Sequence, residues 1–465
     1  MSLMRCLFCG LLQDEPKGVK ACPRCGGELA FEQEPSPSAA RSYLKAQLEI
    51  DQINAPADQI VDRYLVITIQ SPDQVPDDEA APTESGREAM GFTAVLDVSG
   101  SMRGKKINTA RDAIRQAVRF LHDGDTFSLV TFSGEVQTVL KPTRVNRRLR
   151  KKIVNILDEV RAGGQTALCG GLEAGIEAAL SKPRETNLVL LLSDGQANVG
   201  EDNLEKVGER ALQARRNGII TSTLGVGKGY NEALMVEIAV QGGGRFYHVL
   251  EAHQITPYVA GELGEVSALA ARNVILHLTL PSGAGLQPLS SIYTSGERST
   301  VNLGDIPLDT ELEVVLRLLL PPQPRGSRLS IEGHLDYCSP ANNNLTIPLN
   351  VVTLRFVAPD AYDRREGAVR PVIRRVLEQM KASSVLGTTR TSSLRGRSAA
   401  DKQARLDTAS LYDYALHLSD DEAQELADEH KQTYAEMQAT TSAAKSAVSH
   451  AYRRQHGTKE FDKKK

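Results

Sequence analysis

The chain has 465 residues, a net charge of −3 and no tryptophan. This length exceeds a single hydrophobic core and predicts about three domains. The near-neutral charge gives no support for bulk binding of nucleic acid or membranes. The N-terminus lacks the apolar core and cleavage site of a secretory signal, and no segment has about eighteen consecutive uncharged apolar residues. We therefore expect a cytoplasmic protein whose six cysteines are metal ligands or buried thiols and not disulfides.

Four of these cysteines form two Cys-x-x-Cys pairs near the N-terminus: Cys6 with Cys9, and Cys22 with Cys25. Two such turns complete a tetrahedral shell of four thiolates, which is typical of a structural Zn²⁺ site. Since four thiolates leave no open position for chemistry, we predict a structural zinc ribbon over residues 1–32. Redox chemistry of the pairs is the less favoured alternative. A polar linker with prolines is predicted over residues 33–45.

One β-strand is predicted before the main repeating pattern. Residues 60–71 are rich in β-branched and aromatic types, and Leu65, Ile67 and Ile69 lie on one face of the strand. The acidic segment with prolines that follows is typical of an exposed connection. We assign residues 46–90 to the first part of a β-domain and this connection.

Strand and helix patterns then alternate regularly between residues 91 and 262. The apolar runs at residues 93–96, 126–132 and 187–192 are typical of buried parallel strands. Segments with apolar residues at helical spacing separate these runs. The alternation predicts a doubly wound, mainly parallel α/β sheet.

Small hydroxyl and carboxylate side chains occur at three places in this unit. They are Asp97, Ser99 and Ser101 after the first strand, Thr166 after two glycines, and Asp194 after the strand at 187–192. The carboxyl ends of parallel strands form the ligand-binding edge of an open α/β sheet. Oxygen ligands without histidine or cysteine favour Mg²⁺ or Mn²⁺ over Zn²⁺. Each motif alone is also explained by helix capping, but the three together favour a metal site.

The order and spacing of DVSGSM, of a threonine after two glycines and of LLLSDG resemble the von Willebrand factor A domain with its metal ion-dependent adhesion site. The resemblance implies that Ser99 and Ser101 bind the metal directly. It implies that Thr166 binds directly or through water, and that Asp97 and Asp194 hold coordinated waters. It also implies that a carboxylate of a partner protein completes the coordination. Neutral hydroxyl ligands would leave much of the metal's charge available to attract that carboxylate.

Several other features of the α/β unit have simpler explanations. We expect Cys169 to be a core thiol and His248 to be a packed or edge histidine. The basic residues between 144 and 152 indicate a solvated helix face, with an acidic partner surface as the alternative. The glycine-rich run at 225–229 lacks the helix start of a phosphate-binding loop.

Period-two patterns return after Asn273 and predict the second part of a small antiparallel β-sandwich over residues 263–358. We expect the early strand to join this sandwich, so that the α/β unit is an insertion. This layout resembles bacterial cytoplasmic proteins of the inter-α-trypsin-inhibitor heavy-chain type.

The C-terminal part is predicted to be helical. We expect a helix over residues 359–382, a flexible basic linker over 383–400, and a helical region with a charged tail over 401–465. Ser419 and Glu422 match a capping box. The hydroxyl groups of the linker also suit phosphorylation, although a simple linker is favoured.

These features together predict a multidomain protein with α/β, all-β and α parts. We expect a non-enzymatic adaptor or scaffold that binds an acidic residue of another protein through Mg²⁺ or Mn²⁺. A metal-dependent hydrolase is less favoured, because Gln165, Gln196 and Asn198 near the site are not competent bases. A nucleic-acid-associated factor that uses the zinc ribbon is also less favoured, because the overall charge is near neutral.

Overall fold

The computed structural model describes residues 3–6, 12–14, 29–31, 42–76, 79, 89–194, 199–227, 229–249, 259, 263, 269–296 and 299–455. Near the N-terminus, three short strands form an antiparallel sheet in the order β2-β1-β3: β1 (Leu3–Cys6), β2 (Leu12–Asp14) and β3 (Leu29–Phe31). Cys9, Cys22, Cys25 and the side chain of Cys6 lie outside the described part of the chain. The zinc ribbon therefore stays a prediction.

A six-stranded sheet forms the centre of the α/β unit. Its strands are β7 (Met90–Asp97), β8 (Thr126–Phe132), β9 (Val136–Arg144), β10 (Thr186–Ser193), β11 (Ile219–Val226) and β12 (Gly243–Val249). They lie in the order β12-β11-β10-β7-β8-β9, and all neighbours are parallel except the antiparallel pair β8 and β9. The central strands β7 and β10 are buried along almost their whole length, which explains their continuous apolar runs.

Helices cover both faces of this sheet. They are α1 (Lys105–Phe120), α2 (Arg147–Glu159), α3 (Leu168–Ser181), α4 (Leu204–Arg216) and α5 (Glu232–Gln241). Successive residues of β7 point to opposite faces, so that Leu96 packs with α1 and α2 while Val95 packs with α3, α4 and α5. Helix α3 lies very close to the sheet, since a Cβ atom on Gly175 would lie 2.3 Å from Val95 Cγ2. The predicted α/β fold is confirmed, with one antiparallel strand in a mixed sheet.

Two further sheets share one cluster of buried apolar side chains. The smaller sheet contains β4 (Lys45–Ile50), β6 (Val61–Gln70), β14 (Gly285–Pro288) and β17 (Glu311–Leu320). The larger sheet contains β5 (Asn54–Pro56), β13 (Leu269–Thr279), β15 (Thr294–Ser295), β16 (Thr300–Pro307), β18 (Arg328–Cys338), β19 (Asn344–Pro348) and β20 (Val352–Val357). Strand β6 pairs antiparallel with β17 over ten residues, with Leu65 opposite Leu316. The strands that precede the α/β unit in the chain therefore join the strands that follow it.

The C-terminal region, as far as residue 455, contains four helices: α6 (Arg370–Arg395), α7 (Arg397–Ala415), α8 (Asp420–Ala439) and α9 (Thr441–Gln455). Ser419 is the N-cap of α8, because its Oγ accepts the Glu422 amide at 3.2 Å and donates to the Glu422 carboxylate at 3.0 Å. Among the described residues, we find no helix that is both long and apolar enough to cross a membrane.

The prediction of a flexible linker over residues 383–400 is wrong, because α6 continues through this segment to Arg395. Helix α7 begins directly after Gly396, whose φ of 81° breaks the helix. Within the helix, the hydroxyl groups of Thr388 and Thr389 each donate to a carbonyl of the preceding turn at 2.8 Å, while Ser384 donates to Asp407 of the next helix at 2.7 Å. The segment also packs against the α/β unit through Val385. Burial of that apolar side chain against another domain is a tertiary effect that local composition does not reveal.

Candidate metal-binding site

The first site motif begins where β7 ends, at the buried carboxylate of Asp97. Its Oδ1 accepts the backbone amide of Ser99 at 2.8 Å, and its Oδ2 accepts the hydroxyl of Ser193 at 2.5 Å. The chain then passes through a short 3-10 turn at Gly100–Met102 into α1. Asp97 therefore holds the loop in place with both carboxylate oxygens.

A chain of side-chain hydrogen bonds connects this loop to Asp194. Ser99 Oγ lies 3.0 Å from Ser101 Oγ, which donates to Asp194 Oδ1 at 2.7 Å. Asp194 follows β10, and β10 pairs in parallel with β7, so their carboxyl ends meet at one edge of the sheet. Ser101 is exposed, whereas Ser99 and Asp194 are buried. The network therefore opens to solvent at Ser101.

The loop between α2 and α3 brings the third motif to the same edge. The Gly163 amide donates to the Val98 carbonyl at 2.7 Å, and the Gly100 amide donates to the Gly164 carbonyl at 3.0 Å. Gly164 has a φ of 85°, a conformation that strongly favours glycine. Thr166 is buried two residues further on. The five residues predicted from the sequence thus come from three loops that meet at one edge of the sheet.

Two residues that sequence reasoning did not assign to the site also contact its carboxylates. Ser193 bonds to Asp97, as described above, and the ammonium group of Lys106 contacts Asp194 Oδ2. Lys106 lies in the first turn of α1, at the positive end of the helix dipole, where a lysine is unfavourable unless a carboxylate compensates it. That position was a usable signal in the sequence. In the structure the ammonium group is a cation beside the predicted metal ligands.

The electrostatics of the site favour a bound cation. Burial raises the pKa of Asp97, and the neighbouring Asp194 carboxylate raises it further, while hydrogen bonds from Ser193 and Ser99 oppose the shift. Two carboxylates and three hydroxyl groups offer only oxygen ligands, which suits a hard cation such as Mg²⁺. The donor set of these residues therefore fits a divalent cation, which would displace the ammonium group that lies against Asp194.

The loop after β11 packs against the backbone of Asp194. A Cβ atom on Gly229 would lie 2.7 Å from the Asp194 carbonyl oxygen, so the two backbones are in close contact. The next residue, Tyr230, is buried, and its hydroxyl lies 2.5 Å from His248 Nδ1. Burial lowers the pKa of His248 to about 4. His248 is therefore a packed histidine, and the nearby Lys445 of α9 donates to the Tyr230 carbonyl at 2.6 Å.

Cys169 of α3 is buried, as expected for a core thiol. The sequence showed no basic residue beside it, but the fold places the guanidinium of Arg210 against its sulfur. Burial nevertheless raises the pKa of Cys169. The thiol is therefore protonated at neutral pH and is a poor nucleophile.

Comparison with known proteins identifies the fold around this site. Residues 93–259 match the von Willebrand factor type A domain family. The chain therefore contains a von Willebrand factor type A domain, and the metal ion-dependent adhesion site within it stays a prediction. Domains of this type mediate protein–protein interactions.

The similarity of this chain to known proteins and solved structures extends beyond this domain. The chain is 26% identical over 280 residues to an uncharacterised protein of Synechocystis, covering 57% of this chain and 66% of that protein. It is 28% identical over 237 residues to the inter-alpha-trypsin inhibitor heavy chain H3 of Rattus norvegicus, covering 47% of this chain and 26% of that protein. The matches thus span less than two thirds of these relatives. A solved von Willebrand factor type A structure from Catenulispora acidiphila covers 92% of this chain and 99% of its own, with a TM-score of 0.63 and 15% identity, and shows the fold alone.

Proposed function

We propose that this protein is a cation-dependent protein-interaction module that acts as an adaptor. In this proposal Asp97, Ser99, Ser101, Thr166 and Asp194 hold Mg²⁺ or Mn²⁺, and a carboxylate of a partner protein binds the same cation. The observation that carries the proposal is the hydrogen-bonded network from Ser99 through Ser101 to Asp194, which an ammonium group already contacts.

The exposure of the network supports binding of a partner at this position. Ser101 lies at the surface, while the carboxylate of Asp97 is buried and held by hydrogen bonds from the protein. A cation held next to Ser101 would be reachable from solvent. Because hydroxyl ligands are neutral, the cation would also keep much of its positive charge. An acidic side chain of another protein is the chemistry that this position would recognise.

The same network supports a non-enzymatic role. Its described side chains are hydroxyls, carboxylates and the Lys106 ammonium group, and within this described network we find no histidine or cysteine. Hydrolysis would require a nucleophile or water next to a competent base, and the carboxylate oxygens of Asp97 and Asp194 already accept hydrogen bonds from the protein. A cytoplasmic location belongs to the same proposal and is supported by the free thiols of Cys169 and Cys338.

The proposal is tested first by cation binding. The full chain, stripped with a chelator, is titrated with Mn²⁺ by calorimetry and by electron paramagnetic resonance. Ser101→Ala removes an exposed hydroxyl and should weaken Mn²⁺ binding without loss of fold. Thr109→Ala is the matched control, because Thr109 also carries a hydroxyl near the start of α1 but bonds only to the Lys105 carbonyl in the described contacts.

Partner binding is tested with the immobilised full chain in a native extract. Proteins retained in Mg²⁺ and released by chelator are identified by mass spectrometry and then assayed in purified form. We expect Ser101→Ala and Asp194→Ala to lose the purified partner and Thr109→Ala to retain it. Retained proteins that chelator does not release, or a purified partner that binds Asp194→Ala as tightly as the wild type, would refute the cation-dependent mechanism.

A further inference from the structure

A second cluster of metal-ligating side chains lies on the larger β-sheet, outside the α/β unit. His277 of β13 is directly opposite His334 of β18, and Asp336 is two residues further along β18 on the same face. The intervening Leu276 and Leu335 point into the core and are fully buried. The alternation of the strands therefore places both imidazoles and the carboxylate together on the outer face.

The distances in this cluster match those of a tetrahedral metal site. Asp336 Oδ2 lies 3.3 Å from His277 Nε2 and 3.6 Å from His334 Nε2. Ligands at about 2.0–2.1 Å from a Zn²⁺ ion are about 3.3–3.4 Å from one another in a tetrahedron. The ligand atoms of all three residues lie within 4.8 Å of one another. The strands hold all three ligands close enough to reach one ion, and rotation of an imidazole ring out of the parallel stack would point both Nε2 atoms at it.

The cluster is also held in position by its neighbours. The two imidazole rings are stacked, with centroids 4.7 Å apart and an angle of 6° between their planes. Thr346 of β19 donates its hydroxyl to Asp336 Oδ1 at 2.7 Å, which leaves Oδ2 facing the histidines. Hydrogen bonds of this kind orient the ligands in known metal sites. Three neighbouring strands therefore fix the positions of the three ligands.

We propose that His277, His334 and Asp336 form a binding site for a transition-metal ion such as Zn²⁺. Two imidazoles and one carboxylate are the ligand set that Zn²⁺ accepts when a fourth position stays open to water or to a ligand. The side chains are about one-third to one-half exposed, so the open position faces solvent. We call the proposed Mg²⁺ or Mn²⁺ site at Asp97, Ser99, Ser101, Thr166 and Asp194 the adhesion-type site. The ligand set of the histidine cluster differs from its oxygen ligands, and the two sites should prefer different ions.

The competing explanation is a simple ion pair between protonated histidines and Asp336. Titration of the chelator-stripped full chain with Zn²⁺ by calorimetry separates the two explanations. The variants are His334→Gln, Asp336→Asn and Thr346→Val, with His122→Gln as the matched control at an exposed histidine elsewhere. Zn²⁺ that binds at other sites, including the predicted cysteine site, is common to all of them and cancels in the comparison.

We expect His334→Gln and Asp336→Asn to bind one Zn²⁺ equivalent fewer than the wild type and His122→Gln. Thr346→Val should keep the site but bind about tenfold more weakly, because it loses only the orienting hydrogen bond. Ser101→Ala should retain this Zn²⁺ equivalent, which separates the result from any failure of the adhesion-type site. Equal Zn²⁺ stoichiometry in the wild type, His334→Gln and Asp336→Asn would overturn the proposal. If the circular dichroism spectrum shows that His334→Gln does not fold, the number of Zn²⁺ equivalents is compared between Asp336→Asn and Thr346→Val. One equivalent fewer in Asp336→Asn supports the proposal, and equal numbers overturn it.

Discussion

A buried lysine joins the C-terminal helix α9 to the α/β unit, and its replacement is a sharp test of the packing. The side chain of Lys445 has no exposed surface. Its Nζ donates to the Tyr230 carbonyl at 2.6 Å, lies 3.5 Å from the centroid of the Tyr230 ring and lies 3.3 Å from Glu232 Oε2. Burial lowers the pKa of Lys445, and the Glu232 carboxylate opposes this shift. Lys445→Met keeps an unbranched side chain that is one atom shorter and removes the charge.

The size of the effect follows from these contacts. A hydrogen bond from a charged donor contributes about 1.5–3 kcal/mol, and a desolvated cation–π contact contributes up to about 2 kcal/mol. The variant also leaves the Tyr230 carbonyl without this donor. Removing a buried ammonium group recovers part of its desolvation cost. We therefore expect α9 to dock about 2–3 kcal/mol less tightly in Lys445→Met.

Hydrogen exchange of the α9 amides measures this docking directly, and it does not require two-state unfolding of a multidomain chain. A loss of about 2–3 kcal/mol corresponds to exchange about 30- to 150-fold faster. Lys431→Met is the control, because Lys431 pairs with Asp428 at 2.9 Å on an exposed face of α8 and should contribute less than about 1 kcal/mol. A change of less than about threefold in α9 exchange for Lys445→Met would show that the buried ammonium group does not hold the helix.

Three further predictions concern the adhesion-type site and its support. Lys106→Ala removes the ammonium group that contacts Asp194 and should tighten Mn²⁺ binding up to about fivefold in calorimetry, as expected for a contact of up to about 1 kcal/mol. Gly229→Ala should weaken Mn²⁺ binding about tenfold, because its Cβ would displace the Asp194 backbone at a cost of about 1–3 kcal/mol. His248→Gln should reduce the acid sensitivity of folding between pH 6.5 and pH 4. The pKa of His248 is lowered to about 4, so the neutral imidazole makes its full contribution to the free energy of unfolding above pH 6.5. This contribution, about 1–2 kcal/mol after allowance for partial exposure, is lost as the pH falls towards 4.

Each of these predictions has its own contradicting result. Unchanged or weaker Mn²⁺ binding in Lys106→Ala would show that the ammonium group does not compete with the cation. Unchanged binding in Gly229→Ala would show that the loop after β11 yields without moving Asp194. Denaturant unfolding of His248→Gln that follows the wild-type pH dependence below pH 6.5 would show that another group causes the acid sensitivity.

Local patterns were sufficient to predict the α/β unit. Its buried strands read as continuous apolar runs, and residues 187–192 are apolar because β10 is covered on both faces. The same type of reasoning failed for residues 383–400. Their serines and threonines resemble those of a mobile linker, but Val385 is buried against the α/β unit and the hydroxyls of Thr388 and Thr389 bond within α6.

The sequence by itself determined which residues gather at the edge of the sheet where the adhesion-type site is proposed. Asp97, Thr166 and Asp194 each follow a strand or a glycine turn, and the parallel arrangement of strands brings such positions to one edge. Only the tertiary structure decided which other groups contact them. The partners of a side chain from a distant part of the chain depend on how whole elements pack, so the contact of Lys106 with Asp194 appears only in the fold. The contact between His277 and His334 also appears only in the fold. The register between β13 and β18 places the two residues opposite each other, and this register cannot be read from the sequence of either strand alone.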